Sequence, residues 1–238
     1  MGKARPRLRR LVDELARSHP DLDDPEARIR AGEIEVDGIV RTNPATLVRG
    51  GAAIVVRRES PLRGEAKLDA ALVAFAVDVR GRVALDVGAA AGGFTRVLLR
   101  AGAHRVYAVD AGYGQLLGSL RQDPRVVNLE RTNLGTLTRE LVPEPIDVLT
   151  IDVSYLALHV AVPQLERLEF ASNADAIALV KPQFELGLAQ PPLDGRSALD
   201  VARHGFAACD WAVEAAITSP VRGARGSTEF LLHAKRRR

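Results

Sequence analysis

Four short apolar runs in this 238-residue chain each carry a polar side chain at or near their ends. Runs of this length predict buried strands. In an open parallel sheet, the carboxyl ends of the strands border the crevice in which ligands bind. The side chains could therefore meet at one site, where carboxylates would attract a positive group and an amine would contact a hydroxyl. They are Asp86, Asp110, Asp152 and Lys181.

The first run is followed by Gly-Ala-Ala-Ala-Gly-Gly-Phe, which predicts a tight turn that opens a helix. Glycines let the backbone approach a ligand closely, and a helix N-terminus offers free N–H groups. Here an acid precedes the glycines, and the spacing differs from the Gly-x-Gly-x-x-Gly of nicotinamide-binding enzymes. We therefore expect S-adenosylmethionine (SAM), whose ammonium an acid can attract and which has no pyrophosphate. The expected contacts are Asp86, Gly88, Ala89, Gly92, Gly93 and Phe94.

Asp110 ends the second apolar run and lies 22 residues after Gly88. Doubly wound folds place at this position the carboxylate that binds ribose hydroxyls, so we expect Asp110 to bind the cofactor ribose. A strand-to-helix turn needs glycine in any α/β protein, and a nicotinamide-dependent oxidoreductase is an alternative interpretation. The runs and the turn together predict an α/β fold, a Rossmann-like sheet with helices on both faces.

Longer segments of the chain resemble one family, the hemolysin A-type (TlyA-like) ribosomal RNA 2′-O-methyltransferases, whose catalytic half is an FtsJ-like domain. The similarity is collinear from about residue 8 onward. The segments that carry it are Leu85–Ala89 with Gly92–Thr95, Val106–Asp110 with Gly112–Leu116, Glu130–Asn133, Ile151–Tyr155, Leu179–Glu185, and Ser219–Pro220 with Gly223, Gly226 and Glu229.

The resemblance implies an enzyme that transfers a methyl group from SAM to a ribose 2′-hydroxyl of ribosomal RNA, at cytidine. That hydroxyl is a poor nucleophile at neutral pH, so the reaction needs a proton acceptor and in-line placement. In the family mechanism, Lys181 contacts the hydroxyl and, once neutral, accepts its proton; alternatively, it holds the oxygen by a hydrogen bond. The implied catalytic tetrad is Lys67, Asp152, Lys181 and Glu229, and Asp152 and Asn133 are implied as further cofactor contacts.

Two positions depart from the family pattern. The Arg-Gly-Gly that precedes the first tetrad lysine is Arg63-Gly64-Glu65 here, and the asparagine usual before the last tetrad glutamate is Ser227. Glu65 adds a negative charge close in sequence to Lys67, which would favour the protonated lysine. These departures motivate an alternative function, a non-catalytic protein that binds RNA or ribosomes and retains the methyltransferase fold.

Residues 1–60 predict a small α+β module before a catalytic domain of residues 61–238. The side chains of Leu8, Leu11, Val12 and Leu15 recur at helical spacing, a second helix opens at Asp24-Pro25, and Asp37-Gly38 predicts a hairpin turn. Residues 31–38 followed by Gly50-Gly51 resemble the alpha-L RNA-binding module of a small-subunit ribosomal protein and of pseudouridine synthases. A solvated charged face on a packing or dimerisation module is the alternative.

The charge distribution favours RNA as the partner of this module. Residues 1–64 hold 13 Lys and Arg against 10 Asp and Glu, so the net charge of +3 arises there, while the remainder of the chain is balanced. Basic side chains bind phosphate with release of counterions. We expect ribosomal RNA or ribosomal subunits as partners, and the candidate contacts are Arg5, Arg7, Arg9, Arg10, Arg17 and Arg63.

Composition excludes several other classes. A single cysteine, Cys209, cannot form a disulfide within the chain, and the five histidines lack metal-ligand spacing, so we expect no metal site. The arginine-rich N-terminus lacks the apolar core of a signal peptide, and no run of 18 apolar residues predicts membrane insertion. We expect a cytoplasmic protein with a helix over residues 198–217, and the oligomeric state stays open.

Overall fold

The computed structural model describes residues 8–30, 32–56, 61–189, 195–223 and 226–237. It divides into two units, Met1–Ser60 and Pro61–Arg238. The helices and strands of the first unit are β1 (Leu8–Arg10), α1 (Leu11–Ser18), α2 (Pro25–Arg30), β2 (Ile34–Val36), β3 (Ile39–Arg41), β4 (Leu47–Arg49) and β5 (Ile54–Val56).

Two local sequence signals in the first unit correspond to features of its structure, the start of α2 and the turn between β2 and β3. The Asp24 side chain accepts a hydrogen bond from the backbone N–H of Ala27 at 3.0 Å and so caps α2. Asp37 and Gly38 both have positive φ, as a two-residue turn between β2 and β3 requires. The small core contains Leu11, Leu15, Ile29, Ile34, Val36 and Val48.

The first helix was expected to include Leu8, and this is wrong. Leu8 lies on β1, which pairs antiparallel with β4, and its side chain is 57% exposed. Helix α1 begins only at Leu11, because the residue before it, Arg10, has an extended backbone conformation. Arg9 and Arg10, which lie on β1, are therefore not on a helix face.

The second unit contains the larger sheet. Its elements are α3 (Arg63–Phe75), β6 (Val83–Val87), α4 (Gly93–Arg100), β7 (Arg105–Asp110), α5 (Gly118–Gln122), β8 (Val126–Glu130), β9 (Ile146–Ile151), α6 (Leu158–Ala161), β10 (Phe170–Val180), α7 (Pro182–Glu185), α8 (Arg196–Ala207), β11 (Trp211–Thr218) and β12 (Phe230–Arg236). Short 3₁₀ turns span Leu134–Thr136 and Val162–Leu165.

The sheet of the second unit has, within the described residues, seven strands in the order β11-β12-β10-β9-β6-β7-β8. Strands β10, β9, β6, β7 and β8 pair in parallel, whereas β12 runs antiparallel to both of its neighbours. The chain progresses outward from β6 in one direction and then returns to build the other half from β9. The crevice at the carboxyl ends of β6 and β9 is therefore the topological switch point, where ligands bind in such sheets.

Helices cover both faces of this sheet, as expected. Alternate residues of β6 point to opposite faces, so Leu85 joins a core cluster with Phe206 and Trp211, whereas Ala84 joins one with Leu68 and Leu98 of the other helix layer. This alternation fixes which strand residues can reach the crevice and which pack beneath a helix.

The expected helix over residues 198–217 is wrong in its second half. Helix α8 ends at Ala207, and Asp210 has a φ of +56° before the chain enters β11. The Ala-rich stretch that follows Trp211 pairs with β12 instead of continuing the helix. Tertiary pairing thus overrides the helix propensity of alanine.

Candidate active site

The turn after β6 is glycine-dependent because two backbone segments meet there. Gly88 has a φ of +84°, and a Cβ atom on it would lie 2.5 Å from the carbonyl oxygen of Asp152. The Asp152 N–H donates to the carbonyl of Val87 at 2.9 Å, which joins the ends of β6 and β9. A Cβ on Gly93 would lie 3.1 Å from the Cα of Gly64 on α3. The glycines therefore let the turn pack closely against β9 and α3.

Asp86, which was expected to contact the cofactor, lies beneath the turn. The side chain is fully buried, and its two oxygens accept hydrogen bonds from Thr95 at 2.6 Å and Thr150 at 2.9 Å. Burial raises the pKa of Asp86 to about 6, although these hydrogen bonds lower it. The pleat places Asp86 on the face covered by α4, so it ties the sheet to that helix.

Asp110 ends β7 next to the same turn. One carboxylate oxygen accepts the N–H of Ala90 at 2.9 Å, and the other accepts the N–H of Gly112 at 2.6 Å. Ala90 has a φ of +46°, so Asp110 holds a strained turn residue in place. Each oxygen keeps a second lone pair for a ligand hydroxyl. Nearby, the N–H of Thr132 donates to the Asp110 carbonyl, and the exposed Asn133 follows it.

The four tetrad positions form two ion pairs. Lys181 Nζ lies 2.6 Å from Asp152 Oδ1, and Lys67 Nζ lies 2.7 Å from Glu229 Oε2. Lys67, Lys181 and Glu229 are each at most 9% exposed. Strand ends supply Asp152 and Lys181, α3 supplies Lys67, and Glu229 precedes β12. The structure thus brings together residues as far apart in sequence as 162 positions.

All four tetrad side chains line one cavity of about 340 Å³. An adjoining cavity of about 310 Å³ is lined largely by residues of the glycine turn. The first is lined by Arg63, Gly64, Lys67, Gly88, Ala90, Asp152, Ser154, Lys181, Gln183, Phe184, Gly223 and Glu229. The second is lined by Leu62, Arg63, Gly64, Gly88, Ala89, Ala90, Ala91, Gly93, Phe94 and Asp152. Asp152 and residues of the turn border both cavities. The cavity that contains the two lysines therefore adjoins one lined mainly by glycine and alanine.

Ser154 is a site residue that the sequence analysis missed. Lys181 Nζ donates a hydrogen bond to Ser154 Oγ at 2.6 Å, so this lysine contacts a hydroxyl as well as a carboxylate. Gln183 and Phe184, which follow Lys181, also line the cavity. A signal was present for Ser154, because a polar residue two positions after Asp152 on an extended chain points to the same side.

Glu65, the departure expected to influence Lys67, pairs with two arginines of α4. Its carboxylate is bound by Arg96 at 2.8 Å and by Arg100 at 3.0 Å, and it accepts the N–H of Leu62 at 3.0 Å. Burial by itself raises the pKa of Glu65, but these contacts together lower it. Glu65 therefore caps α3 and joins it to α4, with its charge neutralised. Ser227 accepts the N–H of Gly223 through its backbone carbonyl.

The arginines expected to contact RNA divide into three groups. Arg5 and Arg7 lie outside the described residues. Arg9 and Arg17 both pair with the buried carboxylate of Glu14, which also accepts the N–H of Gly51 at 2.8 Å. Hydrogen bonding from Arg17 lowers the pKa of Glu14 to about 2. These two cations are thus partly neutralised within the unit.

The remaining two arginines are Arg10 and Arg63. The Arg10 side chain is exposed at the end of β1. Arg63 lies at the start of α3, lines both cavities, and donates to the carbonyl of Arg222 at 2.8 Å. Arg63 therefore borders the cavity that contains the tetrad and the cavity beside the glycine turn.

Solved structures share this fold. A SAM-dependent methyltransferase from Mesorhizobium loti superposes with a TM-score of 0.54 at 18% identity, over 72% of this chain and 98% of that one. A protein described as a hemolysin from Streptococcus thermophilus superposes with a TM-score of 0.69 at 29% identity, over 98% and 90% of the two chains. The sheet, the switch-point crevice and the turn therefore define a Rossmann-like methyltransferase fold.

Sequence similarity gives the family. Residues 62–236 match the FtsJ-like methyltransferase family, and the chain belongs to it. The 16S/23S rRNA (cytidine-2′-O)-methyltransferase TlyA of Mycobacterium tuberculosis is 43% identical over 217 residues, which cover 86% of this chain and 80% of the relative. These findings confirm the resemblance, the fold class and the enzyme class expected from the sequence. No helix among the described residues is long and apolar enough to cross a membrane.

Proposed function

We propose that this protein is a SAM-dependent methyltransferase that acts on the 2′-hydroxyl of a cytidine ribose in ribosomal RNA. The observation that carries the proposal is the joint lining of one cavity by two lysine–carboxylate ion pairs, beside a glycine turn at the switch point. The relative TlyA, named for cytidine 2′-O-methylation of 16S and 23S rRNA, supports the substrate.

The walls of the adjoining cavity fit SAM. Its turn presents only glycine and alanine from Gly88 to Gly93, so backbone can approach the methionine part of the cofactor. The carboxylate of Asp152 borders the same cavity and would attract positive charge. Asp110, one strand further along, would accept hydrogen bonds from the ribose hydroxyls, with Phe94 and Asn133 as further contacts. When bound, SAM supplies an electrophilic methyl group whose C–S bonding electrons remain on sulfur after transfer.

Lys181 would hold the reacting hydroxyl and accept its proton. A lysine amine can accept a proton only after it has lost its own, and Asp152 at 2.6 Å orients the group throughout. The proton taken from the ribose oxygen converts Lys181 to an ammonium, which Asp152 then stabilises. Holding the oxygen in line removes much of the entropic barrier to attack.

The second pair, Lys67 and Glu229, supplies a positive charge that is itself held in place. Because Glu229 fixes Lys67 at 2.7 Å, the ammonium cannot turn away from the cavity. A fixed cation in the same cavity would stabilise a developing alkoxide. The pair would therefore stabilise the ribose oxygen as its proton leaves.

The first unit would bind the RNA, and the second would carry the chemistry. The positive charge of residues 1–64 and the exposed Arg10 support RNA binding, and Arg63 would contact a phosphate at the mouth of the site. Ribosomal RNA within a subunit is the expected partner, because the relative TlyA is named for rRNA methylation. Phosphates attract basic side chains whatever the base sequence, so this charge supports RNA binding in general.

A methylation assay tests the proposed function. The full chain is incubated with tritiated SAM and ribosomal subunits that lack this modification. Small and large subunits are tested in separate reactions. We expect label in rRNA, and mass spectrometry of nuclease digests should place it as 2′-O-methylcytidine. Binding of SAM and of subunits without methyl transfer would support the non-catalytic alternative. Calorimetry with NAD in place of SAM tests the oxidoreductase interpretation.

A further inference from the structure

Lys181 is held by two acceptors of different charge. Its Nζ lies 2.6 Å from a carboxylate oxygen of Asp152 and 2.6 Å from the hydroxyl oxygen of Ser154. Ser154 lines the same cavity as the two ion pairs and is not part of the tetrad. The hydroxyl is therefore placed to influence the group that meets the substrate.

Local structure explains the placement of Ser154. Beyond the end of β9, Val153 is 5% exposed and packs in the core cluster that also contains Ile151, so the strand alternation of sides continues to this residue. Side chains two residues apart on an extended chain point to one side. Asp152 and Ser154 therefore flank the buried valine and both face Lys181.

We propose that Ser154 is a positioning residue for methyl transfer, which fixes the direction in which Lys181 presents its nitrogen to the ribose hydroxyl. A neutral lysine amine has two N–H groups and one lone pair. When Asp152 and Ser154 accept the two N–H groups, the lone pair can point in only one remaining direction. This inference rests on the proposed function.

Ser154 suits this role because its hydroxyl is uncharged. A second carboxylate at its position would hold Lys181 as an ammonium by attraction. A hydroxyl oxygen accepts a hydrogen bond from either form of the amine, so it orients the group without adding charge. Ser154 itself neither gains nor loses a proton during the reaction.

Two variants separate the hydroxyl from the rest of the side chain. Ser154→Ala removes the acceptor, and Ser154→Thr retains it with one added methyl group at an exposed position. With ribosomal subunits and SAM, we expect kcat to fall by about 10-fold or more in S154A, because misplacement by about 1 Å costs up to ~10²-fold. KM for the subunits and the calorimetric Kd for SAM should change by less than about 2-fold, and S154T should recover most of kcat.

A second readout follows Lys181 without RNA or SAM. Limited acetylation with acetic anhydride, quantified by mass spectrometry, reports how readily each lysine reacts. Lys181 should be labelled more in S154A than in wild type and S154T, because one N–H loses its acceptor and the side chain gains freedom. Lys235, whose side chain is 52% exposed, serves as the internal reference.

The outcomes are distinguishable. Wild-type kcat in folded S154A, equal labelling of Lys181 in S154A and wild type, or an S154T variant as slow as S154A would each overturn the role of Ser154. If wild type itself transfers no methyl group, the proposed function fails, while the labelling experiment still tests the contact between Ser154 and Lys181.

Discussion

The backbone of Gly88 lies directly against the carbonyl of Asp152, so that a single Cβ atom at Gly88 would approach that oxygen to 2.5 Å. The glycine turn and the end of β9 are thus parts of one packed unit. This contact explains why a small change in the turn is expected to affect both binding and chemistry.

Gly88→Ala should weaken SAM binding by about 10-fold or more and lower the melting temperature. The new Cβ meets the Asp152 backbone, and the φ of +84° strains any residue with a side chain. Gly118→Ala is the matched control, because a Cβ there meets nothing within 4 Å. Calorimetry with SAM and thermal unfolding measure both effects. Normal SAM affinity in a folded G88A variant would show that the turn is not part of the cofactor site.

Lys181→Met and Asp152→Asn should each reduce methyl transfer by about 10²–10⁴-fold, the range for a positioned acid or base. Affinity for SAM should fall much less in K181M, because the turn remains intact. Lys235→Met, which changes an exposed lysine, is the control. Single-turnover rates on ribosomal subunits give the comparison. Near-wild-type turnover by K181M would show that another group accepts the proton.

Glu65→Ala should destabilise the protein by about 1–2 kcal/mol, since it removes the ion pair between Glu65 and the partly buried Arg96. The rate of methyl transfer per folded molecule should stay within a few-fold of wild type, because Glu65 pairs with arginines of α4 and not with Lys67. Asp69→Ala, at the exposed partner of Arg100, should have a smaller effect on denaturant unfolding. A large rate increase in E65A would instead show that Glu65 suppresses Lys67.

Glu185 should make stability fall as pH rises through neutrality. One of its oxygens accepts the Leu158 N–H at 2.9 Å, while the other is buried without a hydrogen bond from the described residues. Burial raises the pKa of Glu185 to about 7 from 4.5. Between these values the native state holds a proton that the unfolded chain releases, so stability is present at low pH and is lost as pH passes about 7.

The variant Glu185→Gln removes this titration. From pH 5 to 8, the free energy of unfolding should fall by about 1–3 kcal/mol more in wild type than in E185Q. Asp200→Asn, at a side chain that is 67% exposed, should leave the wild-type pH dependence unchanged. Denaturant titrations at several pH values measure it. Parallel curves for wild type and E185Q would refute the assignment.

Arg10 and Arg17 should behave differently although both are arginines of the first unit. Arg10→Ala removes an exposed charge. If Arg10 contacts one phosphate, the slope of log affinity for duplex rRNA against log salt concentration should become shallower by about 0.9. Arg17→Ala removes a partner of the buried Glu14 and should chiefly lower thermal stability. Fluorescence anisotropy at several salt concentrations is the measurement. Equal slopes for wild type and R10A would favour the alternative that the charged face of the first unit is solvated and does not contact RNA.

Much of this molecule follows from local sequence. The strands that end at Val87, Asp110 and Ile151 were predicted because apolar patterning is a property of consecutive residues. The turn at Asp37-Gly38 was predicted because few residue types adopt positive φ at two consecutive positions, and Asp-Gly is one of the favoured pairs. The tetrad residues were named by resemblance, and their assignment stays a proposal.

Only the tertiary structure decided which side chains meet. Lys67 and Glu229 form their ion pair across 162 positions, a separation over which no periodicity carries information. The pleat turns Asp86 toward Thr95 on α4, and Ser154 reaches Lys181 only because β9 and β10 are neighbours. Contacts of this kind depend on how helices and sheet pack as layers, and packing is set by the whole chain at once.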